Sequence, residues 1–246
     1  MLRRLIAPHF NYNSSRVYLE EFLAAAAATV KPHEKVLDAG AGDCKYKALF
    51  AGKDYTATDF LRVDKPYDVA ALDIVCDLHD LAVSDATYDV VICSQVLEHL
   101  PDPEHVLREL HRVLKPNGRL WLSTPLFFEE HEVPHDYYRY TRYGLRYLLE
   151  KSGFQIQQMA WLEGYYGTIA YQLKTMALAL PRTPQDYGGD SISYLLLPFM
   201  VLLKVIFGGL TVFFTRLDLR YKYTERGHCK NYAAVAVKLP STLNQW

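Results

Sequence analysis

The sequence predicts an α/β fold on a mostly parallel sheet. Three observations carry this: short β-branched runs alternate with helical stretches, a Gly-x-Gly turn follows the first run, and an acid closes the second. The chain has 246 residues, half of them hydrophobic, so one sizeable core can be buried. Its 27 Lys and Arg nearly cancel 28 Asp and Glu, which leaves no global field to attract a nucleic acid, and none is expected as a partner.

The elements follow in order. A first helix is expected from about Ser15 to Val30, capped by Ser14 or Ser15 and ended by Lys31-Pro32. Lys35 to Ala39 is a strand, followed by the glycine turn, a helix reaching about Phe50 and a second strand at Asp54 to Thr58. Further strands are expected at Ala71 to Val75, Tyr88 to Cys93 and Gly118 to Ser123, with a helix from Asp102 to Leu114 between the last two. Thr141 caps a helix ending near Ser152-Gly153, Phe154 to Leu162 is a strand, and Tyr232 to Leu239 is the last. Strands that alternate with helices imply right-handed crossovers. The pattern predicts a single domain over 1–246, with an N-terminal helix and cap in 1–33 and an apolar helical insertion at 164–229 before the final strand.

Cys44, Cys76, Cys93 and Cys229 show no CxxC spacing, which fits reduced thiols and a cytoplasmic protein. Arg3 and Arg4 precede an apolar run too short for a secretory signal. The stretch 192–215 carries one charge, Lys204, and is long enough to cross a bilayer, but Pro198 and Gly208-Gly209 interrupt it. An interfacial or buried helical pair is expected there instead, because a single crossing would separate the last strand from its sheet.

The run Val36-Leu37-Asp38-Ala39-Gly40-Ala41-Gly42-Asp43 sets a strand directly before the glycine turn, where a Cβ would block a ligand from the backbone. Position 45 is Lys rather than a third glycine, and Asp38 would repel a pyrophosphate, so a nicotinamide dinucleotide fits poorly. A cofactor with a cationic amine and no phosphate fits better. Asp59, 21 residues after Asp38, stands where an acid can accept from both ribose hydroxyls of an adenosine.

With these residues in place, the chain resembles the class I S-adenosylmethionine methyltransferases, in particular the small-molecule branch of the ubiquinone and menaquinone pathways. The resemblance covers roughly 34–163 and 230–239. It implies a Rossmann-like seven-stranded sheet of order 3-2-1-4-5-7-6, strand seven antiparallel, with helices on both faces. It also implies S-adenosyl-L-methionine as cofactor: Asp38, Gly40 and Gly42 at its methionine end, Asp59 at the ribose, Asp77 and Leu78 at the adenine. Val90 to Leu100 resembles the fourth strand and its loop, which adds Ser94 to the cofactor-binding residues, and Pro101 to Gly118 resembles the helix and turn that follow.

Methyl transfer from a sulfonium is an in-line displacement, so the protein must align the acceptor, exclude water and remove a proton. Candidate bases cluster in the loop after the fifth strand: Glu129, Glu130, His131, Glu132, His135, Asp136 and Tyr137. Histidine titrates nearest neutrality, which puts His135 first and His131 second. Relatives carry Glu-x-x-Glu-His as a divalent-ion site; here Gln95 replaces the first acid, and no metal is assigned to Glu98-His99. His79 and His111 are expected to pack or cap, with His111 on the charged side of its helix.

The insertion holds Tyr165-Tyr166, Tyr171, Tyr187 and Tyr194 among apolar runs, with Arg216, Arg220, Lys222 and Arg226 after them. Core or dimer packing explains this composition, and so does a cover for a lipid-like acceptor with peripheral membrane contact through 192–226. A non-catalytic cofactor-binding scaffold or sensor remains the alternative to an enzyme. The acceptor, the atom methylated and the oligomeric state stay open at this level.

Overall fold

The computed structural model describes residues 13–60 and 71–240. The Arg3-Arg4 start lies outside them. Seven strands form one sheet of order β3-β2-β1-β4-β5-β7-β6: β1 Lys35–Ala39, β2 Asp54–Asp59, β3 Ile74–Val75, β4 Tyr88–Ser94, β5 Leu114–Pro125, β6 Phe154–Trp161 and β7 Asn231–Lys238. The first five pair in parallel, and β7 runs antiparallel between β5 and β6, in the expected order. Val36, Leu37, Val90, Val91, Leu120 and Leu122 are fully buried, which is why these strands read as near-continuous apolar runs.

The described residues also form five α-helices: α1 Ser14–Thr29, α2 Pro103–Val113, α3 Arg142–Lys151, α4 Tyr165–Ala179 and α5 Ser191–Arg220. Helix α2 starts where Asp102 accepts from the His105 amide at 3.0 Å with Pro103 in the first turn, and Thr141 caps α3 through the Gly144 amide. The last strand ties off α2, since Lys238 Nζ donates to the carbonyls of His111 and Leu114, each at 2.8 Å.

The chain divides into two compact units within α1. One comprises Leu19–Leu162 with Asn231–Trp246 and holds the sheet; the other comprises Met1–Tyr18 with Glu163–Lys230 and holds α4 and α5.

Three local expectations need correction. No α-helix follows the glycine turn. Cys44 at φ 54° breaks helical continuity, the amides of Cys44 and Lys47 bond three residues back, and only a 3-10 turn at Lys47–Phe50 forms. The third strand is two residues long because the Asp73 carboxylate takes the Ala57 amide at 2.8 Å. Pro198 and Gly208-Gly209 do not interrupt α5, which runs unbroken for 30 residues.

Within the helical unit α4 and α5 pack antiparallel: Tyr166 stacks on Phe214 near one end, and Lys204 Nζ donates to the Ala177 carbonyl near the other. Tyr18 donates from its hydroxyl to the Asp218 carbonyl at 2.6 Å, and Lys230 donates its amide to the buried Glu163 carboxylate at 2.5 Å.

Candidate active site

The carboxyl ends of β1, β2, β3 and β4 carry the residues expected from sequence to hold a cofactor. Asp38 is buried at the end of β1, and its Oδ2 accepts from the Tyr55 hydroxyl at 2.5 Å. Burial pushes its carboxyl up to about 6, opposed by the Tyr55 hydrogen bond. Gly40 and Gly42 both lie in the left-handed region, at φ 83° and 54°, and the Gly40 and Ala41 amides donate to the Thr58 carbonyl. A Cβ on Gly40 would collide with the Val96 side chain, so the glycine lets the segment after β4 close onto the turn.

Asp59 ends β2 and is tied to the same turn: Gly42 donates its amide to Oδ2 at 2.8 Å and Phe60 to Oδ1 at 2.7 Å. Register places Val75 beside Asp59, and Asp77 follows two residues on. The Asp77 carboxylate takes the His79 amide at 2.9 Å and its Nδ1 at 2.7 Å, which fixes the segment around the buried Leu78. His79 therefore has the bracing role expected of it. Ser94 closes β4 with its hydroxyl 2.9 Å from that of Ser123, and the next residue, Gln95, stands at φ 58°. That left-handed conformation, costly for a side-chain-bearing residue, turns the chain sharply at the carboxyl end of the strand.

The loop after β5 folds against the turn after β4. Tyr137 and Tyr138 donate their amides to the Glu98 carbonyl, and the His99 ring nitrogen Nδ1 lies 2.7 Å from the His135 carbonyl. His131 sits edge-on to His99 with ring centroids 4.6 Å apart, and His135 Nδ1 lies 3.3 Å from the Tyr137 hydroxyl. Asp136 is held as an anion: both its oxygens accept from Arg139 at 2.7 Å, and one takes the His131 amide, which holds its carboxyl down at about 2. It is the weakest base of the loop's acids that the structure perturbs.

Glu98 is fully buried, with Oε2 accepting from Thr124 at 3.2 Å and Oε1 without a partner; burial raises its carboxyl to about 8. Desolvation lowers the pKa of His99. Ligand atoms of Glu98, His99 and His131 lie within 4.8 Å of one another, so this set has the donors and the spacing to accept a divalent ion. His131 supplies the third donor where Gln95 lacks an acid.

His111 packs as expected, but against an aromatic ring rather than on the charged side of its helix. Its ring packs edge-on to Phe154 and lines the space above Gly153, and its Nε2 is a buried atom without a partner.

Sequence reasoning missed Tyr55, Val96, Thr124 and Arg139. The Asp-x-x-Arg spacing of 136 and 139 was a legible signal for one ion pair; the other three belong to no motif and act through strand register and close approach.

A comparison with known families decides the assignment. The family described as "Methyltransferase domain" matches residues 12–159, more than half of the chain. The chain belongs to that methyltransferase family. Its similarity to curated proteins is more local: it is 35% identical over 102 residues to a ubiquinone biosynthesis O-methyltransferase of Vibrio parahaemolyticus, covering 37% of this chain and 43% of the relative. To the Pseudomonas aeruginosa protein of that name it is 32% identical over 102 residues, covering 37% and 44%. The chain thus spans less than half the length of these curated relatives. Among solved structures, the 1,6-didemethyltoxoflavin-N1-methyltransferase of Burkholderia thailandensis shares the fold at TM-score 0.53 and 17% identity, over 94% of this methyltransferase-family chain and 80% of that one.

Proposed function

We propose that this methyltransferase-family chain transfers a methyl group from S-adenosylmethionine to a small or lipid-like acceptor. The observation that carries the reading is the pair of carboxylates at adjacent strand ends, Asp38 and Asp59, set around a left-handed Gly-x-Gly turn. Such acceptors suit a ligand that brings a cationic amine and ribose hydroxyls and no phosphate, and S-adenosylmethionine has both. When bound, it supplies an activated methyl on a sulfonium.

The chain's own residues do the rest. Asp38 holds the amine end, Asp59 the ribose, and Asp77 with Leu78 the adenine, while the Ser94–Val96 segment closes the turn. His135 removes the acceptor proton, with His131 as second candidate; both lie on a loop whose backbone is pinned to Glu98 and His99. The curated relatives' names support an oxygen acceptor, and the apolar surface of α5 with the basic residues behind it supports an acceptor drawn from a membrane surface on the cytoplasmic side.

The test is calorimetric titration with S-adenosylhomocysteine, with NAD as control. Micromolar binding is expected for the wild type and at least about tenfold weaker binding for Asp59→Ala, since a lost charge-assisted hydrogen bond is worth roughly 1.5–3 kcal/mol. No binding by the wild type sinks the reading; binding without turnover of any isoprenoid or quinol acceptor leaves a non-catalytic binder.

A further inference from the structure

The polarity of α5 is inverted relative to a water-facing helix. Ile192, Leu195, Phe199, Leu202, Val205 and Phe213 are all exposed, Leu195 at 78%, whereas Ser193, Thr211 and Thr215 are buried. The polar groups along the run are satisfied inside the unit: Thr211 Oγ1 donates to the Phe207 carbonyl at 2.8 Å, Ser193 Oγ to Asp190 at 2.7 Å, and Lys204 Nζ to Ala177 at 3.3 Å. Among the described residues this is the one helix long and apolar enough to cross a membrane. Polar side chains inward and apolar ones outward is the arrangement that a hydrocarbon solvent selects.

Three features choose the occupant. Exposed side chains at consecutive positions 194, 195 and 196 point in different directions around the helix, and a single protein groove covers one side, whereas acyl chains cover all. The apolar stretch ends in Arg216, Arg220, Lys222 and Arg226, a cluster suited to anionic headgroups. The other end is also polar, since Arg182, Asp186 and Asp190 lie in or beside the capped turn Pro184–Tyr187. Helix α4, at 15 residues, is only about 22 Å long, short of the roughly 30 Å hydrocarbon core, so a hairpin with α4 as one arm cannot carry that turn across.

We propose that the α4–α5 hairpin is an integral, one-leaflet anchor: α5 lies within the hydrocarbon of a lipid bilayer, and the polar residues at both its ends stand in the headgroup layer of the same leaflet. The proposal rests on the membrane-surface reading above and sharpens it from contact to insertion. The anchor needs no crossing, so β7 stays on the same side as the rest of the sheet.

The purified full chain is floated with vesicles of phosphatidylcholine containing a minor fraction of phosphatidylglycerol, and the floated fraction is washed with alkaline carbonate and then assayed for S-adenosylhomocysteine binding. Insertion predicts that most of the protein floats and survives the wash. The double variant Leu195→Asp/Phe199→Asp should lower the retained fraction at least about tenfold, given the cost of Asp in an apolar membrane phase. That variant keeps its S-adenosylhomocysteine binding, which separates loss of anchoring from loss of fold. A Gln185→Cys variant should react with an impermeant maleimide added outside sealed vesicles.

Flotation that carbonate reverses overturns insertion and leaves a peripheral contact. Protection of Cys at 185 overturns the one-leaflet placement, and an unfloated dimer overturns the proposal in favour of a second copy. S-adenosylhomocysteine binding in any of these cases shows that the methyltransferase reading stands by itself.

Discussion

In the sheet unit, Leu37 and Val91 are wholly buried and the charged Lys35 at the strand's start is exposed; in α5, Leu195 and Phe199 are exposed and Ser193 and Thr211 are buried. One chain thus follows opposite sorting rules in two places. Hydrophobicity alone does not say which rule applies, because both segments are apolar. What separates them is where the few polar groups go.

The largest test of that contrast is an acid placed in each unit. Val91→Asp should abolish cooperative folding, at a cost of roughly 4 kcal/mol or more for a buried unpaired charge, whereas Leu195→Asp should leave the urea midpoint in vesicle-free buffer nearly unchanged. Equal losses would mean that α5 is held by packing in water after all.

A second test concerns the charge kept out of water in the sheet unit. Asp38 binds its proton more tightly folded, near 6, than in the free side chain at 3.8, so the folded state holds more protons between those values and stability falls as pH rises through that window. The difference is on the order of 3 kcal/mol. Asp38→Asn should flatten this part of the pH–stability curve measured by urea unfolding. The affinity for a cationic ligand should move the other way, weakening below about pH 6 as Asp38 is neutralised. Asp136 has the opposite sign: its carboxyl is held at about 2, so the stabilisation it supplies is complete above about pH 4 and is lost as pH falls towards 2.

The smallest expected effect is a control. Asp102 and Asp190 cap α2 and α5 alike, each accepting a backbone amide at the third helical residue. Asp102→Ala and Asp190→Ala should each cost about 1 kcal/mol in buffer, because a helix start in water obeys one rule in both units. A much larger loss at Asp190 would show that the turn before α5 is part of a buried interface.

The strand order and the ends of β1 and β2 were legible because their signals are local: Val36-Leu37 before Gly40, and Asp59 at the next strand end. The convergence of Asp38, Gly40, Gly42 and Asp59 at neighbouring strand ends was readable for the same reason. What failed to read was backbone conformation and side-chain pairing that residue type alone does not specify. Nothing near Cys44 announces a left-handed backbone, so a helix was expected where a 3-10 turn forms. Pro198 and Gly208-Gly209 read as breaks, yet α5 continues through them; local helix propensity is a weak prior, and tertiary context overrides it. Asp136 looked like one more loop acid until Arg139 was seen to hold both its oxygens.

The position of β7 has a consequence for the order in which the protein is made. It fills the gap between β5 and β6, so β6 has no strand partner and β5 is paired only with β4 until residues 231–238 have left the ribosome. Helix α5 is synthesised earlier. The helix of the described residues that is apolar enough to cross a membrane is therefore made while the sheet is still open, and Lys238 can tie off α2 only after α5 has been synthesised.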